Sequence, residues 1–475
     1  MPSTLTPPIA RTLEQANAIN MLLWARVEAL TATIEGQSAR ILDLEARLGQ
    51  NSSNSSRPPS SDAPYNKPKR KPPEAPSGRK AGGQPGHEGR TREAAEPDDV
   101  QDRTPTHCKH CGLEFPPGTA VGDVLVHQSV EIEVVRRVTE WRLRSCTCPN
   151  CKKQTRAERP VDMPQSAFGP RLEAAISMLS ARYRLSRREV VEIVRDLFGA
   201  GLSVGSVQAI CERVSEVIAP AVEAVGKDIT VAPVVHADET GWKQKALKMW
   251  LWLAATDREA FFVLARDRGR DALAKLLAKE FRGVVHCDRW RPYERFAADW
   301  RQLCHSHLRR DFQALIDRGG VAKPLGERLL RASNRLFHLW HAFQRGELTR
   351  AEMALALVPV RMHVGTALAD ALHCDDRKAR ALAKDLRRQW PALWTFVHTE
   401  GVVPTNNDAE RTLRPSVLWR RGSFGTQSDA GSRFVERMLT VIHTAKRRGI
   451  PLLDWLAAAC AAPTPNLLLR PCLSG

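Results

Sequence analysis

The stretch Val231-Ala-Pro-Val-Val-His-Ala-Asp-Glu-Thr-Gly-Trp242 decides how the middle of this chain folds. A short apolar run rich in valine, ending abruptly on an acid, has the length and composition of a buried strand. The carboxylate of Asp238 then emerges where that strand meets solvent. Gly283-Val-Val-His-Cys-Asp288 repeats the pattern, so two strands bring two carboxylates to one sheet edge. Between them, Met249-Trp-Leu-Trp-Leu-Ala-Ala255 and Ala260-Phe-Phe-Val-Leu-Ala265 flank Thr256-Asp-Arg-Glu259 and predict an antiparallel hairpin. The residues from Asp271 to Phe281 predict an amphipathic helix. Strand with acid, hairpin, helix, strand with acid is the order of a ribonuclease-H-like α/β sheet. Leu303-Cys-His-Ser-His-Leu-Arg-Arg-Asp311 reads as a fifth strand running into a basic helix.

A third acid stands far away in sequence. Glu410 lies in Thr405-Asn-Asn-Asp-Ala-Glu-Arg-Thr-Leu-Arg-Pro415, which reads as the first turns of a helix capped by Thr405 or Asn406. Asp408 and Glu410 diverge by about 200° on such a helix, whereas Glu410 shares a face with Asn406, Asn407 and Arg414. Glu410 is therefore the acid expected to face the two strand-borne carboxylates. Three carboxylates from separate elements suit two hard divalent ions, Mg2+ or Mn2+, roughly 3.5–4 Å apart. In that arrangement Asp238 bridges both ions, Asp288 holds one and Glu410 the other. Each acid also has a plain structural reading, Asp238 as a strand end and Glu410 as a partner of Arg414.

At 475 residues and 52.9 kDa the chain is too long for one core and predicts several domains. Its formal charge of +18 favours a polyanionic partner, with nucleic acid first. No run approaches the roughly 18 apolar residues of a membrane span. The start, Met-Pro-Ser-Thr-Leu-Thr-Pro-Pro, lacks a signal peptide, and the expected location is cytoplasmic.

Around the core the chain divides by composition. Residues 12–50 carry a heptad seam of Leu23, Val27, Leu30, Ile34, Ile41, Leu44 and Leu48. That seam predicts a coiled coil and a homo-oligomer, with an intramolecular hairpin as the alternative. Residues 51–100 form a Pro-, Ser- and base-rich linker that cannot bury a core and suits an arm along a phosphate backbone. Residues 101–165 hold Cys108-Lys-His-Cys111 and Cys148-Pro-Asn-Cys151, two knuckles matching the sulfur set of one structural Zn2+. Strand-like runs at Val124–His127 and Val130–Val138 separate them. Cys146 can replace Cys148 in this reading, His107 and His110 are weaker alternates, and a redox pair is the non-metal alternative.

Residues 170–228 predict helices: Ser186 and Glu189 form a capping box, Gly199 and Gly201 break the helix, and Ser203 caps the next. The pattern fits a DNA-binding helix-turn-helix and equally a plain packing unit. The core's first part spans 229–317, an all-helical insertion 318–402, the helix with the third acid 403–428, and a helical tail 429–475.

Taken together, His236-Ala-Asp-Glu-Thr-Gly-Trp242, Cys287-Asp-Arg-Trp-Arg-Pro-Tyr293, Cys304-His-Ser-His-Leu-Arg-Arg310 and Asn406-Asn-Asp-Ala-Glu-Arg-Thr-Leu-Arg-Pro415 resemble the insertion-sequence-66 family of bacterial DDE transposases. Leu48-Gly-Gln-Asn-Ser-Ser-Asn-Ser-Ser-Arg-Pro-Pro-Ser-Ser-Asp62 and the knuckles extend the resemblance over nearly the whole chain. It implies Asp238, Asp288 and Glu410 as a catalytic triad holding Mg2+ or Mn2+. It also implies a zinc-binding domain and, as substrates, double-stranded DNA at element ends and target. The implied chemistry is hydrolysis at each element end, then attack of the freed 3′-hydroxyl on target DNA, with companion proteins of the element as further partners.

His305, His307, Arg309, Arg310, Arg411 and Arg414 then neutralise or orient phosphates. The family often has glycine and an aromatic after its second acid; here Arg289 and Trp290 occupy those positions, and Arg289 is expected to meet a phosphate. The competing classes are a zinc-containing DNA-binding protein without catalysis and a nuclease that cuts but never joins.

Overall fold

The computed structural model describes residues 11–51, 54–55, 94–161, 163–164 and 166–461. Most of the basic linker, with Lys67, Lys69, Arg70, Lys71, Arg79 and Lys80, lies outside the described residues. Helix α1 (Leu13–Leu48) opens on Thr12, whose hydroxyl accepts from the Gln15 N–H. All seven residues of its heptad seam are exposed. Its C-terminal end approaches the rest of the chain through Asp43, 3.8 Å from Arg318. Just beyond it, Asn54 Nδ2 donates to Asp317 Oδ2 at 2.8 Å.

The knuckle region is largely irregular. Its one pair of named strands, β1 (Ser145–Thr147) and β2 (Gln154–Arg156), lies around the second knuckle, and a single antiparallel bridge, His107–Glu114, closes the first. The strands expected at 124–127 and 130–138 do not form, and Val124, Leu125, Val126, Val130, Ile132, Val134, Val135 and Val138 are exposed. Alternating apolar residues supply a face but not a partner to bond with, and no neighbouring strand is there among the described residues.

Four helices come next: α2 (Pro170–Ala181), α3 (Arg187–Phe198), α4 (Val204–Val217) and α5 (Ala219–Val231). The Ser186–Glu189 capping box opens α3, and Gly199, at φ 59°, ends it in the left-handed region that glycine tolerates. Arg187 donates to Gln208 Oε1 at 3.2 and 3.1 Å, tying α3 to α4.

The core is a five-stranded mixed sheet of β3 (Val234–Gln244), β4 (Leu247–Ala255), β5 (Ala260–Ala265), β6 (Val284–Cys287) and β7 (Arg301–Leu303), in the order β5-β4-β3-β6-β7. The hairpin partners β4 and β5 pair antiparallel, as do β3 and β4, while β3, β6 and β7 run parallel. Helix α6 (Arg270–Leu276) bridges β5 and β6 and is shorter than the residue pattern suggested. One expectation is corrected here: β3 does not end at Asp238. It runs on to Gln244 because β4 pairs with it throughout and Trp242 is fully buried.

After β7 come α7 (His305–Arg318), α8 (Ala322–Gln344), α9 (Arg350–Leu372), α10 (Arg377–Arg388) and α11 (Thr395–His398), with no strand among them. By length and composition alone α9 could cross a membrane, the one such helix among the described residues, though Arg361 and His363 interrupt its apolar run. Its buried residues Met353, Leu357, Val360, Val364, Ala367, Leu368 and Ala371 recur every three or four positions and pack between α8 and α10, as in a core helix. Three helices close the described chain: α12 (Asn407–Ser423), α13 (Asp429–Arg448) and α14 (Leu452–Ala461). α12 packs on β3, α13 on β5, and α14 on α2.

Candidate active site at the ends of the parallel strands

Strand register brings the first two acids together. Val234 pairs with Val284 and His236 with His286, a constant offset, so two residues further on Asp238 and Asp288 leave the same face of adjacent strands. Beyond this point the strands differ. β6 stops at Cys287, whereas β3 continues beside β4, so Asp238 stands mid-strand at the step where its parallel neighbour falls away. Asp288 Oδ1 accepts from the Trp290 N–H at 2.8 Å, turning the chain sharply after the strand.

Below the acids, His236 and His286 stack with ring centroids 4.0 Å apart. His236 Nδ1 lies 3.0 Å from Asn406 Oδ1, and Asn406 Nδ2 donates to the Ala237 carbonyl at 2.7 Å. Asn406 is thus the residue at the N-terminus of α12, as its sequence suggested, but its side chain does not cap the helix. It is fully committed to β3 and so fixes α12, and Glu410 one turn on, against the strand that carries Asp238. The Asn406 N–H adds a third tie, donating to Cys304 Sγ at 3.1 Å.

Glu410 faces α7. Its Oε1 lies 3.5 Å from His307 Nδ1 and its Oε2 3.9 Å from Arg310. Both Glu410 Oε1 and His307 Nδ1 are buried without a hydrogen-bond partner. Asp408 turns the other way and accepts from Arg447 of α13 at 2.6 Å. The helical divergence of the two acids is therefore resolved with Glu410 toward the strand ends.

The electrostatics describe a crowded anionic centre. Burial, then the charges of Glu239 and Asp288, push the Asp238 carboxyl well above the usual range. Burial alone would lower His307, but Cys304 and the charges of Glu410 and Asp288 raise it to about 9. Glu239, on the opposite face of β3, is lifted to about 7 by burial and by Asp288, against Arg268 and the Tyr293 hydroxyl, which donates to it at 2.8 Å. Sequence reading missed Glu239 and Cys304, and gave Asn406 a capping role in place of its tie to β3. The signals were an acid directly following Asp238 and a cysteine three residues before His307.

The remaining residues named from sequence are dispersed. Arg289 commits its guanidinium to Asp311, at 3.0 and 2.8 Å, and to Asp385 at 2.6 Å. His305 is buried among Phe337, Trp394 and Phe396, with its Nε2 donating to the Leu393 carbonyl at 2.9 Å, and burial lowers it to about 4. Arg309 donates to Asn334 and lies over the Phe337 ring. Arg411 and Arg414 are exposed on α12.

The two knuckles share one backbone design. Cys108 N–H donates to the Leu113 carbonyl and Gly112 N–H to the Cys108 carbonyl; Cys148, Lys153 and Lys152 repeat both bonds at the same spacing. Gly112 and Lys152, at equivalent places, both have positive φ, 74° and 60°. Backbone N–H groups of His110 and Cys111 lower the Cys108 thiol, and those of Cys151 and Asn150 lower Cys148. The two pairs do not converge on one another. Among the described residues, the group of His, Cys, Asp or Glu ligand atoms lying within 4.8 Å of one another is Cys304, His307 and Glu410.

Comparison with known proteins places the chain in a family. The model of the Transposase IS66 family matches residues 165–433, spanning the sheet, all three acids and the helical insertion. Residues 5–93 match a family of unknown function (DUF6444). Two similar proteins come from Sinorhizobium fredii (strain NBRC 101917 / NGR234). The uncharacterized protein y4hP is 25% identical over 77% of this chain and 73% of its own length. The uncharacterized protein y4qI is 28% identical over 52% of this chain, which spans about half of that relative's length, 48%.

Proposed function

The chain belongs to the IS66 family of transposases, and from that premise we propose that it binds the ends of an insertion sequence and catalyses metal-dependent DNA cleavage and strand transfer. In this reading the mixed sheet is a ribonuclease-H-like core, and Asp238, Asp288 and Glu410 are its catalytic acids. The observation that carries it is the convergence of Asp238 and Asp288 by parallel register, with Glu410 brought in by the α12 anchor at Asn406.

The donor set fits divalent metal. An Asp238 carboxyl raised by burial and by the charges of Glu239 and Asp288, beside a buried Glu410 oxygen with no hydrogen-bond partner, forms a site that a cation would complete. Asp238, Asp288 and Glu410 would hold Mg2+ or Mn2+, which when bound activate the attacking oxygen and stabilise the leaving one in an in-line phosphoryl displacement. The chain's own residues do the rest. Asn406 sets the position of α12 against β3, while Arg310 reaches Glu410 and orients it. Exposed Arg411 and Arg414 stand on the same helix, placed to neutralise phosphates of a DNA strand.

The knuckles, α1 and the linker complete the proposal. Cys108, Cys111, Cys148 and Cys151 would hold one structural Zn2+ with the two knuckles drawn together, a reading supported by the repeated backbone design that lowers the leading thiol of each pair. Loss of zinc from Cys148→Ser by metal analysis is the expected result. Retention there, with loss from Cys146→Ser, reassigns the ligand. The exposed heptad seam of α1 associates with a second copy, and Leu30→Asp with Ile34→Asp should lower the mass of the full chain seen by light scattering. The helix pair α3–α4 and the basic linker are proposed contacts to DNA.

The deciding experiment is a strand-transfer assay with labelled element ends. Wild type should cut and join in Mg2+. Glu410→Gln should do neither while retaining end binding. Cleavage without joining would make it a nuclease of the same fold, and binding without either would make it a DNA-binding protein only.

A further inference from the structure

The convergence of Cys304, His307 and Glu410 is not explained by three acids alone. Cys304 comes directly after β7 and stands at the N-terminus of α7, and its own N–H donates to the Cys287 carbonyl at 2.9 Å, one residue before Asp288. Three residues on along α7, His307 lies on the same side of the first turn. Glu410 closes the third side from α12, and the three ligand atoms lie within 4.8 Å of one another. His307 Nδ1 and Glu410 Oε1, 3.5 Å apart, are buried without a hydrogen-bond partner. Buried polar atoms are almost always hydrogen-bonded, so an imidazole nitrogen and a carboxylate oxygen that face each other at 3.5 Å without a hydrogen bond, beside a buried sulfur, leave room for a shared partner.

We infer that Cys304, His307 and Glu410 form a sulfur–nitrogen–oxygen site for a transition-metal ion, distinct in donor chemistry from the all-oxygen pair Asp238 and Asp288. The inference rests on the reading of Glu410 as a metal ligand and adds what kind of ion it takes. A thiolate and an imidazole favour Zn2+ or Co2+ and contribute little to Mg2+ or Mn2+, which prefer oxygen donors. Three protein donors also leave a coordination position open, as in catalytic rather than structural sites. Ligation balances in charge and protons: the Cys304 thiol and the protonated His307 ring each lose one proton to solvent, Glu410 is a carboxylate, and two negative ligands meet one divalent ion. His307 binds as the neutral ring. The Asn406 N–H, already directed at Cys304 Sγ, is placed to support the thiolate.

The test uses the full chain purified with zinc and then dialysed against a chelator until metal analysis finds one zinc per chain, the spectroscopically silent ion of the knuckles, and titrated with Co2+ in the absence of DNA. One further equivalent should bind with a near-ultraviolet thiolate-to-cobalt absorption band. Cys304→Ser should abolish the band, and His307→Gln and Glu410→Gln should each weaken Co2+ binding at least about 10-fold. Cys148→Ser should leave the band in place, since it lies in a knuckle. No band in wild type, or a band that survives Cys304→Ser, or one lost in Cys148→Ser, overturns the inference. Should Cys304→Ser fail to fold, unchanged cobalt affinity in a folded Glu410→Gln chain overturns it equally. The outcome is separable from that of the strand-transfer assay: cleavage that depends on Glu410 without a cobalt band removes this site and leaves the proposed function standing.

Discussion

The outer edge of the sheet and its centre treat buried polar groups in opposite ways. Along the free edge of β5 the N–H groups of Ala260, Phe262 and Leu264 point away from β4. They are met by Thr444 Oγ1 and Thr440 Oγ1, each at 3.1 Å, and by the Glu436 carboxylate. Two residues of strand rise about 6.8 Å and four of helix about 6 Å, so the two ladders stay in step for three rungs. An edge that could recruit another strand is thereby closed. At the centre, Asp238 and Asp288 stand at neighbouring strand ends, and Glu410 Oε1 and His307 Nδ1 are buried with no hydrogen-bond partner. The same helical and strand spacings operate in both places. The difference is that stability demands every donor be answered, whereas a binding site keeps donors and acceptors available for what it binds.

The sharpest way to break this comparison is to remove the charge crowding. Asp238→Asn should lower Mg2+-dependent cleavage by at least about 10^3-fold, some 4 kcal/mol of transition-state stabilisation. In metal-free buffer the same change should raise the melting temperature, because burial and the neighbouring acids disfavour the Asp238 carboxylate. A variant that is inactive and also less stable without metal would show that Asp238 is part of the scaffold.

At the edge the expected pattern is reversed. Thr440→Val with Thr444→Val leaves two buried N–H groups unanswered, each costing about 1–3 kcal/mol. Denaturant unfolding should register the loss. Cleavage per folded molecule should be unchanged, and a matching loss of cleavage would mean that edge and centre are coupled.

The contrast also explains what could be read from residues alone. The hairpin, both acid-bearing strands and the capping box at Ser186 depend on local periodicity and turn chemistry, and all are where the pattern put them. Other features depend on partners distant in sequence. β3 continues past Asp238 because β4 pairs with it; the valine-rich runs near 130 stay irregular because nothing does. At the candidate site, the divergence of Asp408 and Glu410 was a matter of helical angle and legible. The commitment of Asn406 to β3 and of Arg289 to Asp311 and Asp385 was not, because each joins residues from about 20 to 170 positions apart.

A smaller effect sharpens the edge further. Burial lifts Glu436 from its ordinary 4.5 to about 7, against the Leu264 N–H and the cations Arg437, Arg433 and Lys275. A carboxyl raised in the folded state contributes stability that is fully present below its unfolded value and is lost as pH rises through the folded one. The chain should therefore weaken between about pH 4.5 and 7 on account of this group. Glu436→Gln keeps an acceptor for Leu264 and cannot ionise. Its melting temperature relative to wild type should climb across that window and then level. The gain should be about 1–2 kcal/mol at pH 8 after allowance for partial exposure, and absent at pH 4. A constant difference across the range would show that Glu436 ionises normally.

The smallest effect is expected one turn from the centre, at Asp408. It lies two residues before Glu410 but faces α13, where Arg447 Nη2 donates to its Oδ2 at 2.6 Å. The same guanidinium also reaches Thr412 Oγ1 at 2.7 Å and the Thr256 carbonyl at 2.5 Å. Arg447 therefore keeps two acceptors when Asp408 becomes Asn, and the amide oxygen can serve as a third. Asp408→Asn removes two partly exposed ion pairs, with Arg447 and, at 3.9 Å, with Arg411, each worth about 1 kcal/mol or less. Cleavage should stay near wild type in the assay where Glu410→Gln is inactive. The reverse pair of results, an inactive but folded Asp408→Asn beside an active Glu410→Gln, would mean that α12 presents its other face to DNA, and that the unpaired oxygen of Glu410 has no part in the chemistry.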